Sequence, residues 1–388
     1  MKKIAIFGST GSIGSSLLKI IKKDKKDFKI ELLTANKDYK KLIKQAKFFN
    51  VKNIIINDNN SFLITTKLLK NTNIKVFENF NSLNKIFDID KKIDYTMCAI
   101  SGFQGLKPTL DIIKFTKTIA IANKESIICG WNLIQKDLKK YKTYFIPIDS
   151  EHFSIWSLLD KSKINNFEKI YITASGGPFR NLSIKKFKNI SIKDALKHPN
   201  WLMGKKITID SATMMNKVFE IIEAKKIFNL NYKQLEILIH PKSYLHAIVK
   251  FNNGLSKLLV HDTDMRVPIF NSIYYNNDKK LKSKKIDIET LNNLDLKKVD
   301  KIKFPIIKIL NNMSNKDSLF ETIIVSANDK LVDLFLSGKI RFIDISNILL
   351  KICNMPQFVK FKSKKPTNID EINNLVNYVS LKIDAMSV

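Results

Sequence analysis

The stretch KKIAIFGSTGSIGSSLLKIIKK, residues 2–23, decides the fold, because three patterns follow one another in it. Ile4–Phe7 is a continuous apolar run of strand length, Gly8, Gly11 and Gly14 punctuate a turn, and Ile13, Leu17, Leu18 and Ile21 recur at helical spacing. Glycines behind a strand let the chain turn tightly and approach a pyrophosphate, which then rests on the amino end of the next helix. The spacing is G-x-x-G-x-x-G, so the position after a strand, more than the letters, predicts that Gly8, Ser9, Thr10, Gly11, Ser12, Ile13 and Gly14 meet a dinucleotide. Five further strand candidates follow: KIELLTAN, VKNIIIND, IDYTMCAIS, KTIAIAN and KTYFIPID, separated by segments able to form helices. This alternation predicts an α/β fold, with a doubly wound parallel-sheet dinucleotide-binding domain over residues 1–148.

At the end of the second strand stand Asn36, Lys37 and Asp38. An acid there serves the ribose of NAD, whereas a lysine meets the 2′-phosphate of NADP, so Lys37 and Asp38 point in opposite directions.

Beyond residue 148 the pattern changes. KIYITAS, LEILIHP, HAIVKF and SKLLVHD read as strands mixed with a helix beginning near Ala212, which predicts a central α/β catalytic domain over 149–280. Residues 281–303 are charged and weakly periodic and read as a linker. Helical spacing then returns in IIKILNNM, DSLFETIIVSANDKLVDLFL, IDISNILLKIC and DEINNLVNYVSLKI, predicting a small C-terminal helical domain over 304–388.

The net charge of +31 raises the question of a polyanionic partner. Only Arg180, Arg266 and Arg341 contribute arginine to the 67 basic residues, and the lysines are spread among asparagines and isoleucines along the whole chain. That is the composition of an AT-biased genome written on solvent-facing positions. It argues against nucleic acid as a partner, while the positive field favours phosphorylated substrates. No apolar stretch approaches the roughly 18 residues of a membrane span. The first strand begins close behind Met1, and Cys98, Cys129 and Cys353 show no ligand or disulfide spacing. A cytoplasmic protein with no membrane partner is expected.

Chemistry concentrates in five short segments. In IPIDSEHF, Asp149 and Glu151 leave a strand two residues apart, and like charges so placed call for a cation of the hard, oxygen-seeking kind such as Mg²⁺ or Mn²⁺. The competing reading is a pair of acids capping the next helix. In DSATMMNKVFEIIEA, Asp210 and Ser211 precede the predicted helix, on which Asn216, Lys217 and Glu220 share one face. A hydroxyl, an amide, an ammonium and a carboxylate there suit a phosphate seat beside a third metal ligand, against the alternative of a solvated Lys–Glu pair. Glu223 reads as an outer or solvated residue. In ITASGGPFRN, Ser175 and two glycines offer a hydroxyl and backbone amides to an anion. In KHPNWLMGKK, His198, Trp201 and Met203 suit a lid over a small substrate, near 175–205, unless the two apolar side chains are core. In IANKES, Lys124 follows a strand and reaches toward the same crevice.

GSTGSIG, ANKES, DSEH, SGGPFR, the block HPNWLMGKKITIDSATMMNKVFEIIEA and DMRVPI resemble, in order and spacing, the 1-deoxy-D-xylulose 5-phosphate reductoisomerase family over essentially the whole chain. The resemblance implies NADPH and a divalent metal, Mg²⁺ or Mn²⁺ with Co²⁺ a further candidate, held by Asp149, Glu151 and Glu220. It implies catalytic roles for Lys124, Glu151 and His198. Substrate contacts would come from Lys124, Ser150, Glu151, Ser175, His198, Trp201, Ser211, Asn216, Lys217 and Glu220. Asn36, Lys37, Asp38, Asn123, Lys124, Glu125 and Gly204 would join the glycine turn around the cofactor. The implied reaction breaks and re-forms a carbon–carbon bond of 1-deoxy-D-xylulose 5-phosphate, and hydride from NADPH reduces the resulting aldehyde to 2-C-methyl-D-erythritol 4-phosphate, a step toward isoprenoids. A homodimer is implied as well. Asn36, Asp38, Gln104, Thr263 and Asp329 depart from the usual family residues.

Two rivals are separable on residues. A semialdehyde-dehydrogenase-like enzyme needs a nucleophilic Cys beside a His, yet Cys98 and Cys129 fall in the nucleotide half, away from His198 and His246. A nucleic-acid binder needs clustered cations with stacking aromatics, and here the lysines are dispersed.

Overall fold

The computed structural model describes residues 1–159, 167–201, 203–275, 279–283 and 288–386, and their contacts divide the chain into two units. Leu202 of the expected lid, residues 160–166 and 276–278 of the expected catalytic domain, 284–287 of the expected linker and the last two residues lie outside the described residues.

The first unit comprises Met1–Ser126, Leu133–Asp149 and Met265–Lys282. Seven strands, β1 (Lys2–Phe7), β2 (Phe28–Ala35), β3 (Asn53–Ile56), β4 (Lys75–Phe77), β5 (Ile93–Cys98), β6 (Thr116–Ile121) and β7 (Tyr144–Pro147), form one sheet in the order β4-β3-β2-β1-β5-β6-β7. Every neighbouring pair is parallel, as the predicted doubly wound sheet requires. Ile4, Ala5, Ile6 and Phe7 are fully buried, because a strand covered by helices on both faces needs apolar side chains on both. The strand order reverses at β1, so the turn after it stands at the topological switch point, where such sheets bind ligands.

Residues 265–282 fall with this unit, although 265–280 were expected in the catalytic segment and 281–282 in the linker. The helix Arg266–Ile273 is tied there by Tyr95, whose hydroxyl is 2.7 Å from Ser272 Oγ, and by Lys2, which donates to the carbonyl of Ile273 at 2.7 Å.

The second unit holds Ile127–Asn132, Ser150–Asp264 and Ser283–Val388. Its mixed sheet runs β11-β10-β8-β9-β12, with β8 (Phe167–Ala174), β9 (Leu235–Ile239), β10 (Leu245–Phe251), β11 (Ser256–Val260) and β12 (Lys297–Lys298). The segment read as a linker thus contributes an edge strand, which two residues of pairing with β9 hold in place. The helix expected near Ala212 begins instead at Lys205, runs to Thr213, and is followed after Met214 by a second helix, Met215–Ile227. Met214 sits in the left-handed region with φ of 68°, a conformation costing about 1–2 kcal/mol in a non-glycine residue. Asp210 and Ser211 consequently lie inside the helix Lys205–Thr213, ahead of the helix that carries Asn216, Lys217 and Glu220.

The C-terminal helices Phe320–Leu336, Phe342–Asn354 and Ile369–Met386 form as predicted, while IIKILNNM folds as the 3₁₀ segment Pro305–Asn312. They group with the central segment for a chemical reason. Asn328 donates to buried Asp210 at 2.7 Å, and Lys225 and Lys226 both reach Asp317, at 3.3 and 3.0 Å.

Candidate active site

In the first unit, the glycine turn is built to bring backbone close to backbone. Gly8 has φ of 76°, and a Cβ there would stand 2.6 Å from the carbonyl oxygen of Ala99, at the end of β5. A Cβ on Gly14 would meet Ser9 Cα at 2.6 Å and collide with the carbonyl of Gly8. Gly11 caps the helix Ser12–Lys23 in an extended conformation with no side-chain cap, so the amide groups of its first turn are not taken by a capping side chain. Such a cradle fits a dinucleotide pyrophosphate.

The side chains around the turn are less uniform in role. Ser9 is fully buried and donates to Gln45 Oε1 at 2.8 Å, and the carbonyl of Thr10 accepts from Lys41 at 2.6 Å. The carboxylate of Asp38 accepts from Lys41 N at 3.1 Å and caps the helix Tyr39–Phe49. Asp38 thus serves as a helix cap, while the Lys37 side chain is 77% exposed, 4.0 Å from Asp58. Asn36 turns its carbonyl to Asp58 N at 3.2 Å. Asn123 caps the helix Lys124–Lys140 by accepting from Ser126 N at 2.5 Å and donates to Gly102 O at 2.7 Å, while Glu125 is buried in that helix's first turn.

Asp149 ends the first unit and is bonded directly to Ser150, first residue of the helix Ser150–Leu158. Its carboxylate takes Lys124 Nζ at 3.5 Å. Asp149, Glu151 and Glu220 each offer a carboxylate oxygen within 4.8 Å of the others. Lys217 donates to Glu151 Oε1 at 2.5 Å and to Glu220 Oε2, and Asn216 donates to Glu220 Oε1. Ser150 Oγ donates to Glu151 Oε2 at 2.5 Å. Glu220 is only 1% exposed, and a buried carboxylate persists only with positive charge or strong donors beside it. An all-carboxylate set already met by two ammonium groups, Lys124 at Asp149 and Lys217 at Glu151 and Glu220, fits a hard divalent cation.

A second trio, Asp149, His152 and Glu223, satisfies the same distance condition. His152 donates from Nε2 to the carbonyl of Glu220 at 2.9 Å, and its Nδ1 is 3.9 Å from Glu223. Both side chains are buried, so Glu223, read as outer or solvated, lies behind the site and is not solvated. The mixed nitrogen–oxygen trio suits Mg²⁺ less well than the three carboxylates do.

Two of the phosphate candidates, Ser175 and Ser211, meet at His198, while Asn216 and Lys217 are hydrogen-bonded to the carboxylates. His198 Nδ1 accepts from the backbone amides of Asn200 at 3.2 Å and Trp201 at 2.9 Å, so the ring proton resides on Nε2. Nε2 lies 3.2 Å from Ser175 Oγ and 3.0 Å from Ser211 Oγ, joining two of the predicted seat residues. Gly176 and Gly177 both have left-handed φ, 80° and 66°, and a Cβ on Gly177 would press within 2.8 Å of the Ser211 carbonyl, so the glycine pair brings Ser175 against the helix Lys205–Thr213. Gly204 caps that helix, but nothing among the described residues within 4 Å would resist a side chain there. Arg180, which the sequence reading left out, donates to the Ser175 carbonyl at 3.3 Å.

Burial, then the charges of Lys217 and Arg180, lower the His198 pKa from 6.5 to about 4. Between those values the unfolded chain binds the proton and the folded one does not, so stability is lost as pH falls from about 6.5 through about 4. His198→Gln should flatten the dependence of melting temperature on pH in that window; an unchanged slope would show that His198 is not held neutral.

Family models cover most of the chain. The one described as 1-deoxy-D-xylulose 5-phosphate reductoisomerase matches residues 4–130, its C-terminal domain matches 145–228, and the DXP reductoisomerase C-terminal domain matches 261–379. The 1-deoxy-D-xylulose 5-phosphate reductoisomerase of Pelagibacter ubique (strain HTCC1062) is 84% identical over 388 residues, all of both chains. The Zymomonas mobilis reductoisomerase in complex with NADPH aligns with a TM-score of 0.88 at 30% identity, over 100% of this chain and 99% of that one. A DOX-P reductoisomerase in complex with NADPH, fosmidomycin and magnesium aligns at 0.91 and 30% identity, over 100% and 98%.

Proposed function

The chain belongs to the 1-deoxy-D-xylulose 5-phosphate reductoisomerase family, and from that premise we propose how its own residues divide the work. Its activity is the NADPH- and divalent-metal-dependent isomerisation and reduction of 1-deoxy-D-xylulose 5-phosphate to 2-C-methyl-D-erythritol 4-phosphate, a step in making isoprenoid precursors by the non-mevalonate route. The observation that carries the assignment is the convergence of Asp149, Glu151 and Glu220 within 4.8 Å, beside Lys217.

When bound, the cation supplies Lewis-acid polarisation of the substrate's ketone and hydroxyl oxygens and NADPH supplies the hydride. Asp149, Glu151 and Glu220 hold the cation. Lys124, anchored 3.5 Å from Asp149, offers protons to the reacting oxygens, and Glu151 is close enough to Ser150 and Lys217 to accept or return one. Ser175, Ser211, Asn216 and Lys217 grip the phosphate. His198, protonated on Nε2 and neutral, donates into that seat without adding charge, and Trp201 excludes water above it. The glycine turn receives the pyrophosphate of NADPH, with Lys37 near its 2′-phosphate.

The test of the activity is to follow the loss of nicotinamide absorbance when the protein meets Mg²⁺, NADPH and 1-deoxy-D-xylulose 5-phosphate; no loss with folded protein overturns the reading. Lys37→Ala should weaken NADPH and leave NADH nearly unchanged, since the two differ only at the 2′-phosphate. Equal weakening of both binding constants would remove Lys37 from that role.

A homodimer follows from the family resemblance, and light scattering should then give twice the chain mass of 44.7 kDa. A cytoplasmic location accords with three buried cysteines that form no disulfide with one another. No helix among the described residues is long and apolar enough to cross a membrane.

A further inference from the structure

Three aromatic rings in the second unit form a tier that no catalytic motif contains as a whole. The Trp201 ring meets His246 edge-on, with centroids 6.2 Å apart and planes at 68°. His246 in turn stacks on His261 at 3.7 Å and 19°. Two hydrogen bonds fix how these imidazoles lie. His246 Nε2 is 3.3 Å from the carbonyl of His261, and His261 Nδ1 is 2.7 Å from the carbonyl of Asp262. A carbonyl only accepts, so both nitrogens carry protons and each ring is locked in one tautomer.

His261 is 8% exposed, and its Nε2 makes no hydrogen bond among the described residues. Burial lowers the pKa of His261, which keeps the ring neutral and lets it stack without charge. The two histidines stand on neighbouring strands: His246 lies in β10, and His261 directly follows β11, its amide donating to the carbonyl of Tyr244 at 2.9 Å. The sheet therefore holds His261 rigidly beneath His246, and His246 beneath Trp201.

We propose that His261 is a positioning residue for the lid: its ring and its carbonyl together hold His246 as the platform against which Trp201 rests when substrate is covered. The proposal depends on the reading of Trp201 as a cover over the substrate. It assigns His261 no contact with substrate, so its effect is transmitted through Trp201 and appears in substrate affinity more than in the chemical step. The flat ring is what matters, because a face 3.7 Å from its neighbour supports that neighbour by surface contact.

The experiment measures kcat and KM for 1-deoxy-D-xylulose 5-phosphate, together with the NADPH dissociation constant, in His261→Leu, His261→Phe, Trp201→Ala and the double variant His261→Leu/Trp201→Ala. His261→Leu should raise KM about threefold to tenfold, the range of an aromatic pair, with NADPH binding unchanged. His261→Phe, which restores a flat ring, should recover KM to near the parent value. In the Trp201→Ala background the leucine substitution should have no further effect. If Trp201→Ala itself leaves KM unchanged, the lid reading fails. If Trp201→Ala raises KM while His261→Leu does not, or the two effects add in full, the role given to His261 is wrong and the lid stands. Should His261→Leu not fold, His261→Gln, polar but without a ring, takes its place under the same expectation.

Discussion

Glu220→Gln should lower turnover of 1-deoxy-D-xylulose 5-phosphate on the order of 100-fold or more, the scale seen when a group stabilising transition-state charge is lost. The substitution keeps the shape of the side chain and an oxygen for Asn216 or Lys217, but removes a negative charge from a position that is 1% exposed. Lys217 retains Glu151 as a partner, so no unpaired ammonium is stranded by the change, and the fold should survive it. NADPH binding should be unaffected, because Gly8–Gly14 belong to the other unit. Supplying the branched aldehyde phosphate directly should restore part of the NADPH oxidation, since hydride transfer to an aldehyde demands less charge stabilisation than breaking the carbon–carbon bond. Steady-state rates on the two substrates, with a melting curve as the control, decide the matter; full turnover by the variant would exclude Glu220 from the charge-stabilising set.

Gly14→Ala should damage both the stability of the first unit and its hold on NADPH. The added carbon would meet Ser9 Cα at 2.6 Å and the Gly8 carbonyl, both backbone, so neither can rotate out of the way. Overpacking of this kind costs about 1–3 kcal/mol, and the displaced turn would no longer present its amides to the pyrophosphate. A lower melting temperature together with at least tenfold weaker NADPH binding, roughly the loss of one well-placed contact, is the expected pair of results. Gly11→Ala serves as the comparison, because its Cβ would meet only Gly8 O, at 3.3 Å, and it should be milder on both measures. Equal effects at the two positions would mean that crowding behind the turn is not what the glycines relieve.

Six of the seven strands of the parallel sheet were readable because each is written as an apolar run and each turn as glycine or polar residues, so the alternation survives without knowledge of contacts. The three residues of β4 and the two of β12, too short to carry a period, left no such signal. Asn216, Lys217 and Glu220 could be placed together from helical spacing, which the helix Met215–Ile227 obeys. The break before that helix could not, since nothing in Met214 announces a φ of 68°. Asp38 carries a local signal of its own: an acid just before the amphipathic run YKKLIKQA marks a helix cap, and it caps the helix Tyr39–Phe49. Arg180 lay in view within SGGPFR, but its effect on His198 depends on a fold that brings the two segments together. The stack of His246 on His261 is of the same kind, being set by strand register and not by local sequence.

The claim on which the account rests is that Asp149, Glu151 and Glu220 share one divalent ion. Calorimetric titration of the metal-free protein with Mn²⁺, repeated on Glu220→Gln and Asp149→Asn, addresses it without reference to turnover. The account predicts a single site per chain whose affinity falls in both variants, although one residue begins the site at the end of a strand and the other supplies it from a helix. Affinity unchanged in both would contradict it, and would leave Asp149 and Glu151 as acids capping the turn into the helix Ser150–Leu158.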